Sequence, residues 1–138
     1  MISRILISGG FGYLGGRLAQ FLISYKSYEI LLGTRRQILP PLWLPNASVV
    51  VTPWNSLSGL EKICSDVDIV IHLAGMNAQE CASNSAMALE VNAVAAARLV
   101  QAAVRRKVKR IIYISTAHVY GKPLTGVISE DTSPAPVH

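Results

Sequence analysis

The chain alternates between short apolar runs and stretches with helical spacing. Ile2–Ile7 is a short apolar run that ends in Ser8-Gly9-Gly10-Phe11-Gly12-Tyr13-Leu14-Gly15-Gly16. Leu14, Leu18, Phe21 and Leu22 then fall at i, i+4, i+7 and i+8, the spacing of one helix face. A second apolar run, Ile30–Leu32, closes on Gly33-Thr34-Arg35-Arg36, and Pro40, Pro41 and Pro45 exclude a regular helix from the connection that follows. Val49–Val51 is a third, β-branched run. Ser56 can cap a short helix through about Cys64. Val67–Leu73, interrupted only by Asp68 and His72, reads as a strand buried on both faces. An alanine-rich helix spans roughly Ser85 to Arg106. Ile111–Ser115 supplies the last strand, followed by a loop with Gly121, Pro123, Pro134 and Pro136.

Runs of about four to eight residues alternating with helical stretches argue for a parallel sheet covered by helices on both faces. Five strands are expected, and the natural doubly wound solution is the order 3-2-1-4-5, a Rossmann-like α/β fold. The 138 residues, 51% of them apolar, suffice for one core and hardly two, so residues 1–138 read as a single domain. The alanine run Ala93–Ala97 fits a helix packed closely on a sheet, because small side chains let two backbones approach.

The net charge is +5, and Arg105, Arg106, Lys107, Lys109 and Arg110 carry as many charges, so the rest of the chain is balanced. The excess is one local cluster at a predicted helix C-terminus, where the dipole favours cations, and no aromatic residue interleaves within it. This argues against a nucleic-acid partner. Cys64 and Cys81 make no disulfide framework and no metal-ligand spacing, which fits a reducing cytoplasm and no metal. No stretch reaches about 18 uninterrupted apolar residues, so no membrane span is expected, and the opening apolar run lacks the form of a signal peptide.

Gly10-x-Gly12-x-x-Gly15 fits the dinucleotide fingerprint, and Gly9-x-x-Gly12-x-x-Gly15 fits its relative with one more intervening residue. Glycine serves there for a tight turn, for backbone approach to a pyrophosphate and for close packing of helix on strand. The amides of Tyr13 and Leu14 would open a helix whose positive dipole end attracts phosphate. A glycine triplet alone also fits a flexible turn that binds nothing; the strand before it and the helix after it favour phosphate. The fingerprint further expects an acid at the end of the second strand, to hold a ribose 2′-hydroxyl. This chain has Gly33 there, followed by Thr34, Arg35 and Arg36. A carboxylate repels a 2′-phosphate whereas a guanidinium binds it, so NADP is the preferred cofactor and NAD the alternative. The plainer reading of Arg35 and Arg36 is a pair of solvated surface cations.

Four further observations stand in one order along nearly the whole chain. These are Ser8-Gly-Gly-Phe-Gly-Tyr-Leu-Gly15, Asp68-Ile-Val-Ile-His-Leu-Ala-Gly75, Val91-Asn92, and Val108-Lys-Arg-Ile-Ile-Tyr-Ile-Ser-Thr-Ala-His-Val-Tyr-Gly121. Ser129-Glu-Asp-Thr132 and Pro134 follow them. Together they resemble the N-terminal, cofactor-binding part of the extended short-chain dehydrogenase/reductase family, the NAD(P)-dependent nucleotide-sugar epimerases and dehydratases. The resemblance implies that Gly9, Gly12, Tyr13, Leu14 and Gly15 bind the cofactor. It implies too that Leu73, Ala74 and Gly75 pass beneath its ribose and pyrophosphate, and that Asn92 reaches toward it from a helix. Thr116 takes the position of the family's catalytic Ser/Thr, which hydrogen-bonds the reacting substrate oxygen. His72 reads as a strand histidine satisfied by hydrogen bonds and His118 as a loop residue.

Two departures accompany the resemblance. The family's base is a tyrosine with a lysine four residues later. Here Leu22, Ser58, Ala103, Arg105 and His118 stand four residues before the lysines, so the pair is missing. The sixth strand and the substrate-binding C-terminal part are missing as well, and the chain is expected to be an incomplete cofactor domain. Pro53-Trp54 replaces an aspartate and an aliphatic residue near the adenine, and Trp54 either stacks on the base or packs. Two functions follow: the cofactor half of an epimerase or dehydratase working by transient hydride transfer, or a non-catalytic dinucleotide-binding, redox-sensing module. For the first, the partner of the complete protein is a nucleotide-sugar-like small molecule. Homo-oligomers are compatible with either.

Overall fold

The computed structural model describes residues 2–121, 123–124 and 126–136. Its strands are β1 (Ser3–Ser8), β2 (Tyr28–Thr34), β3 (Ser48–Val51), β4 (Ile69–His72) and β5 (Arg110–Tyr113). They form one sheet in the order β3-β2-β1-β4-β5, and every neighbouring pair is parallel. That is the order expected from the sequence. The chain winds outward from β1 through β2 to β3, then crosses back to β4, so its direction reverses between β1 and β4. The helices are α1 (Tyr13–Ile23), α2 (Leu57–Ile63), a short α3 (Ala78–Ser83), α4 (Ser85–Leu89) and α5 (Ala95–Arg105). A π-helical segment, Glu90–Val94, joins the last two into one rod, and a 3₁₀ turn covers Ala117–Tyr120.

Successive strand residues face opposite layers. Ile5, Ile7, Ile30, Leu32 and Ile71 meet Ala19 of α1, with Leu18 and Leu22 partly buried beside them. Leu6, Leu31 and Val70 meet Leu60 and Cys64 on one side helix and Leu99, Ala102 and Ala103 on the other. Strands covered on both faces need nearly continuous apolar runs, which is why these were visible in the sequence.

The helix faces depart from the simple spacing. Leu14 and Phe21 are each 60% exposed, and α1 buries Gly15, Gly16 and Ala19 instead. The preceding loop brings α1 so close to β1 that a Cβ on Gly15 would collide with the Gly9 carbonyl, so small residues hold the inner stripe. Phe21 packs edge-on with Tyr25 outside, ring centroids 5.4 Å apart. α3 leaves no apolar pattern and is set by a capping box. Asn77 Oδ1 accepts from the Glu80 N–H, and Glu80 Oε2 accepts from the Asn77 N–H, both at 2.9 Å. The long rod, expected as one regular helix from Ser85 to Arg106, is broken by its π-helical segment. By length and hydropathy Ser85–Arg105 qualifies as a membrane span, against the expectation from uninterrupted apolar runs; its Leu99, Ala102 and Ala103 pack on α2 and the sheet.

Candidate functional site

The loop between β1 and α1 is shaped by its glycines. Gly9 adopts φ +73°, and a Cβ there would stand 2.8 Å from the Ala74 backbone nitrogen. The Gly9 carbonyl accepts from the Gly12 N–H at 2.9 Å, which closes the turn. Gly12 caps α1 with no side-chain hydrogen bond, and the first turn carries no acid. The leading N–H groups of α1, at Tyr13 and Leu14, therefore meet no side-chain acceptor, and an anion there gains both hydrogen bonds and the helix dipole. The Tyr13 and Leu14 side chains are exposed and neither residue lines the adjoining cleft, so only their backbone N–H groups are turned to the loop.

A cleft of about 710 Å³ opens beside this loop at the carboxyl ends of β1, β2 and β4. Gly9, Gly12, Arg35, Arg36, Leu73, Ala74 and Gly75, all singled out from the sequence, line it together. The Arg36 N–H donates to Thr34 Oγ1 at 3.2 Å, turning the chain at the end of β2. Neither arginine has a carboxylate partner among the described residues. Gly33 is buried, and a Cβ there would come within 2.9 Å of Thr52 Oγ1 and 3.2 Å of Ser8 Cα. The position that the fingerprint reserves for an acid has no room for one in this chain.

The wall opposite is the segment after β4. The Leu73 N–H donates to the Ser8 carbonyl at 3.1 Å. Asn92 fixes the other end: its Oδ1 accepts from the Met76 N–H at 2.8 Å, and its Nδ2 donates to the Met76 carbonyl at 3.4 Å. Nδ2 also lies 3.3 Å from Cys81 Sγ. Asn92 thus holds the cleft wall from behind and does not itself line the cleft. His72 is only 3% exposed, lines the cleft, and has Nδ1 2.5 Å from Ser8 Oγ. Its other nitrogen, Nε2, has no hydrogen-bond partner among the described residues, so the expected satisfaction of this histidine is half complete. Burial holds the ring's pKa below the ordinary 6.5. Trp54 both packs and lines the cleft, with its ring 5.7 Å from that of His72. Thr52 escaped the sequence reading; it lines the cleft, its buried hydroxyl has no hydrogen-bond partner among the described residues, and a polar residue directly after the apolar β3 run was its one signal.

Thr116 lies outside the cleft. It is exposed at the N-cap of the 3₁₀ turn, where its Oγ1 accepts from the His118 N–H at 3.3 Å. Gly15 also stays out of the cleft and acts by packing α1 on the loop. The basic cluster is largely engaged inside the molecule. Arg105 pairs with Glu61 at 2.9 Å, Arg106 Nε donates to the Glu61 carbonyl at 3.1 Å, and Lys109 pairs with Asp68 at 2.7 Å. Among the described residues no group of three His, Cys, Asp or Glu could hold a metal ion.

A doubly wound parallel sheet with a glycine-turned cleft at the carboxyl ends of its strands defines the nucleotide-binding Rossmann class. Within that class the chain belongs to the NAD dependent epimerase/dehydratase family, whose model matches residues 5–138. It is 28% identical over 142 residues to UDP-glucose 4-epimerase from Azospirillum brasilense, covering 98% of this chain and 40% of the relative. It is 29% identical to UDP-N-acetyl-alpha-D-glucosaminuronate decarboxylase from Bacillus cytotoxicus, covering 95% of this chain and 41% of the relative. Among solved structures, MoeE5 in complex with UDP-glucose and NAD superposes with a TM-score of 0.80 at 28% identity, over 97% of this chain and 43% of that one. The chain thus spans well under half the length of these relatives.

Proposed function

We propose that this chain is the cofactor-binding portion of an NAD(P)-dependent epimerase or dehydratase acting on a nucleotide sugar, and that it holds NADP(H) in preference to NAD(H). One observation carries the reading: the glycine cradle and two arginines with no carboxylate partner among the described residues share one cleft. A Cβ on Gly9 would collide with the Ala74 backbone and one on Gly15 with the Gly9 carbonyl, so glycine at both positions sets the tight turn that shapes the cradle. Gly9, Gly12 and the N–H groups of Tyr13 and Leu14 hold that diphosphate, and Arg35 and Arg36 hold a 2′-phosphate. Leu73, Ala74 and Gly75 form the floor beneath the ribose, with Asn92 keeping the floor in place. A bound nicotinamide supplies reversible hydride exchange at a sugar carbon. Thr116, just past β5, is assigned the hydrogen bond to a substrate oxygen. Relatives named for UDP-sugars, and a structural neighbour holding UDP-glucose with NAD, support the substrate class. Two free thiols fit a reducing cytoplasm. The exposed Ile112 and Tyr113 of the edge strand β5 suit a homo-oligomer.

Calorimetric titration with NADP(H) and NAD(H) tests this. The expected result is binding of both, with the phosphorylated form about tenfold or more tighter, as one charge-assisted contact contributes. Failure to bind either form overturns the dinucleotide reading, and equal affinities overturn the preference for the phosphorylated one.

A further inference from the structure

We infer that His72 is a ligand-binding residue, whose Nε2–H donates a hydrogen bond to an uncharged acceptor, a ribose oxygen or a base nitrogen, of the nucleotide in the cleft. The inference rests on the reading of that cleft as a dinucleotide site. It begins with the parallel register of β1 and β4, which sets Ser8 directly opposite His72 at the strand ends. Ser8 Oγ lies 2.5 Å from His72 Nδ1 and accepts the Ala74 N–H at 3.5 Å. A hydroxyl has one proton to give. No acceptor other than Nδ1 lies within its reach among the described residues, so the proton goes there. Nδ1 is then the acceptor of the pair, and the ring's own proton sits on Nε2.

That Nε2–H is buried and lacks an acceptor among the described residues. An unpaired buried donor is unfavourable by more than an ordinary hydrogen bond contributes, and native interiors rarely keep one. This one belongs to a side chain that lines a cleft, where a ligand's acceptor would satisfy it. The surroundings select the acceptor's charge. The imidazole has the rings of Trp54 and Tyr113 as neighbours, with centroids at 5.7 and 5.3 Å. Burial keeps the ring neutral near pH 7. The cations of the cleft, Arg35 and Arg36, continue from β2, two strands away from β4. The 2′-phosphate is therefore served two strands away and the diphosphate by the backbone N–H groups of the glycine loop, and the neutral, aromatic corner around His72 suits a ribose or a base.

Two substitutions separate reading a ligand from holding the fold. In His72→Gln the side-chain amide nitrogen takes the place of Nε2 and keeps a donor, while His72→Leu keeps the bulk and removes it. Both lose the bond to Ser8. With NAD(H) and NADP(H) as the probes, His72→Leu is expected to bind about tenfold more weakly than the unaltered chain, and His72→Gln within about threefold of it. Equal weakening in the two variants would mean that His72 serves only to hold Ser8 and the loop, and overturns the inference. So does unchanged binding in both. If the unaltered chain binds neither dinucleotide, the reading of the cleft falls and this inference with it. A nitrogen–proton correlation spectrum of the unaltered chain gives an answer that depends on no variant's folding. The expected ligand-free tautomer carries its proton on Nε2, with that resonance shifting on addition of NADP(H); an Nδ1-protonated ring, or an unmoved Nε2–H at saturation, overturns the inference.

Discussion

Asn92 grips Met76 by both ends of its carboxamide, accepting from its N–H at 2.8 Å and donating to its carbonyl at 3.4 Å. Gly75 allows the close approach, since a Cβ there would lie 3.1 Å from Asn92 Oδ1. Replacing Asn92 with leucine, of similar volume, strands the Met76 N–H and leaves the Met76 carbonyl only the Cys81 thiol, at 3.6 Å. Stability is expected to fall by about 1–2 kcal/mol in urea unfolding, with Asn92→Asp, which keeps only the acceptor, falling in between. Cofactor affinity should weaken in the same order, because the Leu73–Met76 wall loses its anchor.

Gly33 yields a prediction against the usual engineering logic. An aspartate at the end of β2 is the obvious route to an NAD-specific site. Here even a methyl group meets Thr52 Oγ1 at 2.9 Å and Ser8 Cα at 3.2 Å. Gly33→Ala should destabilise by about 1–3 kcal/mol through overpacking, and Gly33→Asp by more, without gaining NAD affinity. Thermal melts followed by circular dichroism, with parallel cofactor titrations, check both.

Arg35 and Arg36 line the cleft and have no carboxylate partner among the described residues. The double substitution Arg35→Ala/Arg36→Ala should weaken NADP(H) about ten- to a hundredfold and leave NAD(H) nearly unchanged, with stability unaltered. The affinity for NADP(H) should also lose much of its salt dependence. Parallel loss of both cofactors would place the arginines on the diphosphate instead.

His72 and Asp68 set the acid limb of stability. Burial pushes the His72 pKa below 6.5, so the unfolded chain takes up a proton that the folded ring refuses. Stability should be flat above about pH 7.5, where neither form is protonated, and decline as pH falls below 6.5 toward the folded value. The hydrogen bond from Lys109, with that from the Arg4 N–H, holds the Asp68 carboxyl below 3.8. Its contribution is present above 3.8 and lost as pH falls through the folded value. Urea midpoints measured from about pH 8 to pH 3 should show two declines, and His72→Gln should lack the first.

The strand order and the glycine turn were legible because each rests on a demand that composition reveals. Strands covered on both faces must be apolar throughout, and a turn at φ +73° against Ala74 favours glycine. The inner face of α1 was not legible in the same way. Periodicity marks where large apolar residues fall, yet at close approach Gly15, Gly16 and Ala19 fill the interface and Leu14 is turned out. Asn92 faces the backbone of a residue 16 positions away, and a carboxamide gives no hint of whether ligand or main chain will meet it. The half-satisfied state of His72 depends on Ser8, 64 residues distant and brought opposite only by the sheet. Thr116 could be placed after β5 from the sequence, and the structure sets it on the 3₁₀ turn, away from the cleft.

The π-helical segment at Glu90–Val94 acts as a phase adjuster between two halves of one rod. Distal to it, Leu99, Ala102 and Ala103 are locked against the sheet and α2. On its near side and within it, Met87, Glu90 and Val91 face the cleft while Asn92 reaches Met76. Each residue advances an α-helix by about 100°, so deleting Ala93 would give a plain helix whose earlier part is rotated by about that angle. The half locked to the core cannot turn, so the rotation would fall on the other half. Asn92 would swing off Met76, and the cleft would lose its back wall while the sheet and its packing stayed intact. A single-residue deletion there would thus divide the domain into a fold that survives and a site that does not.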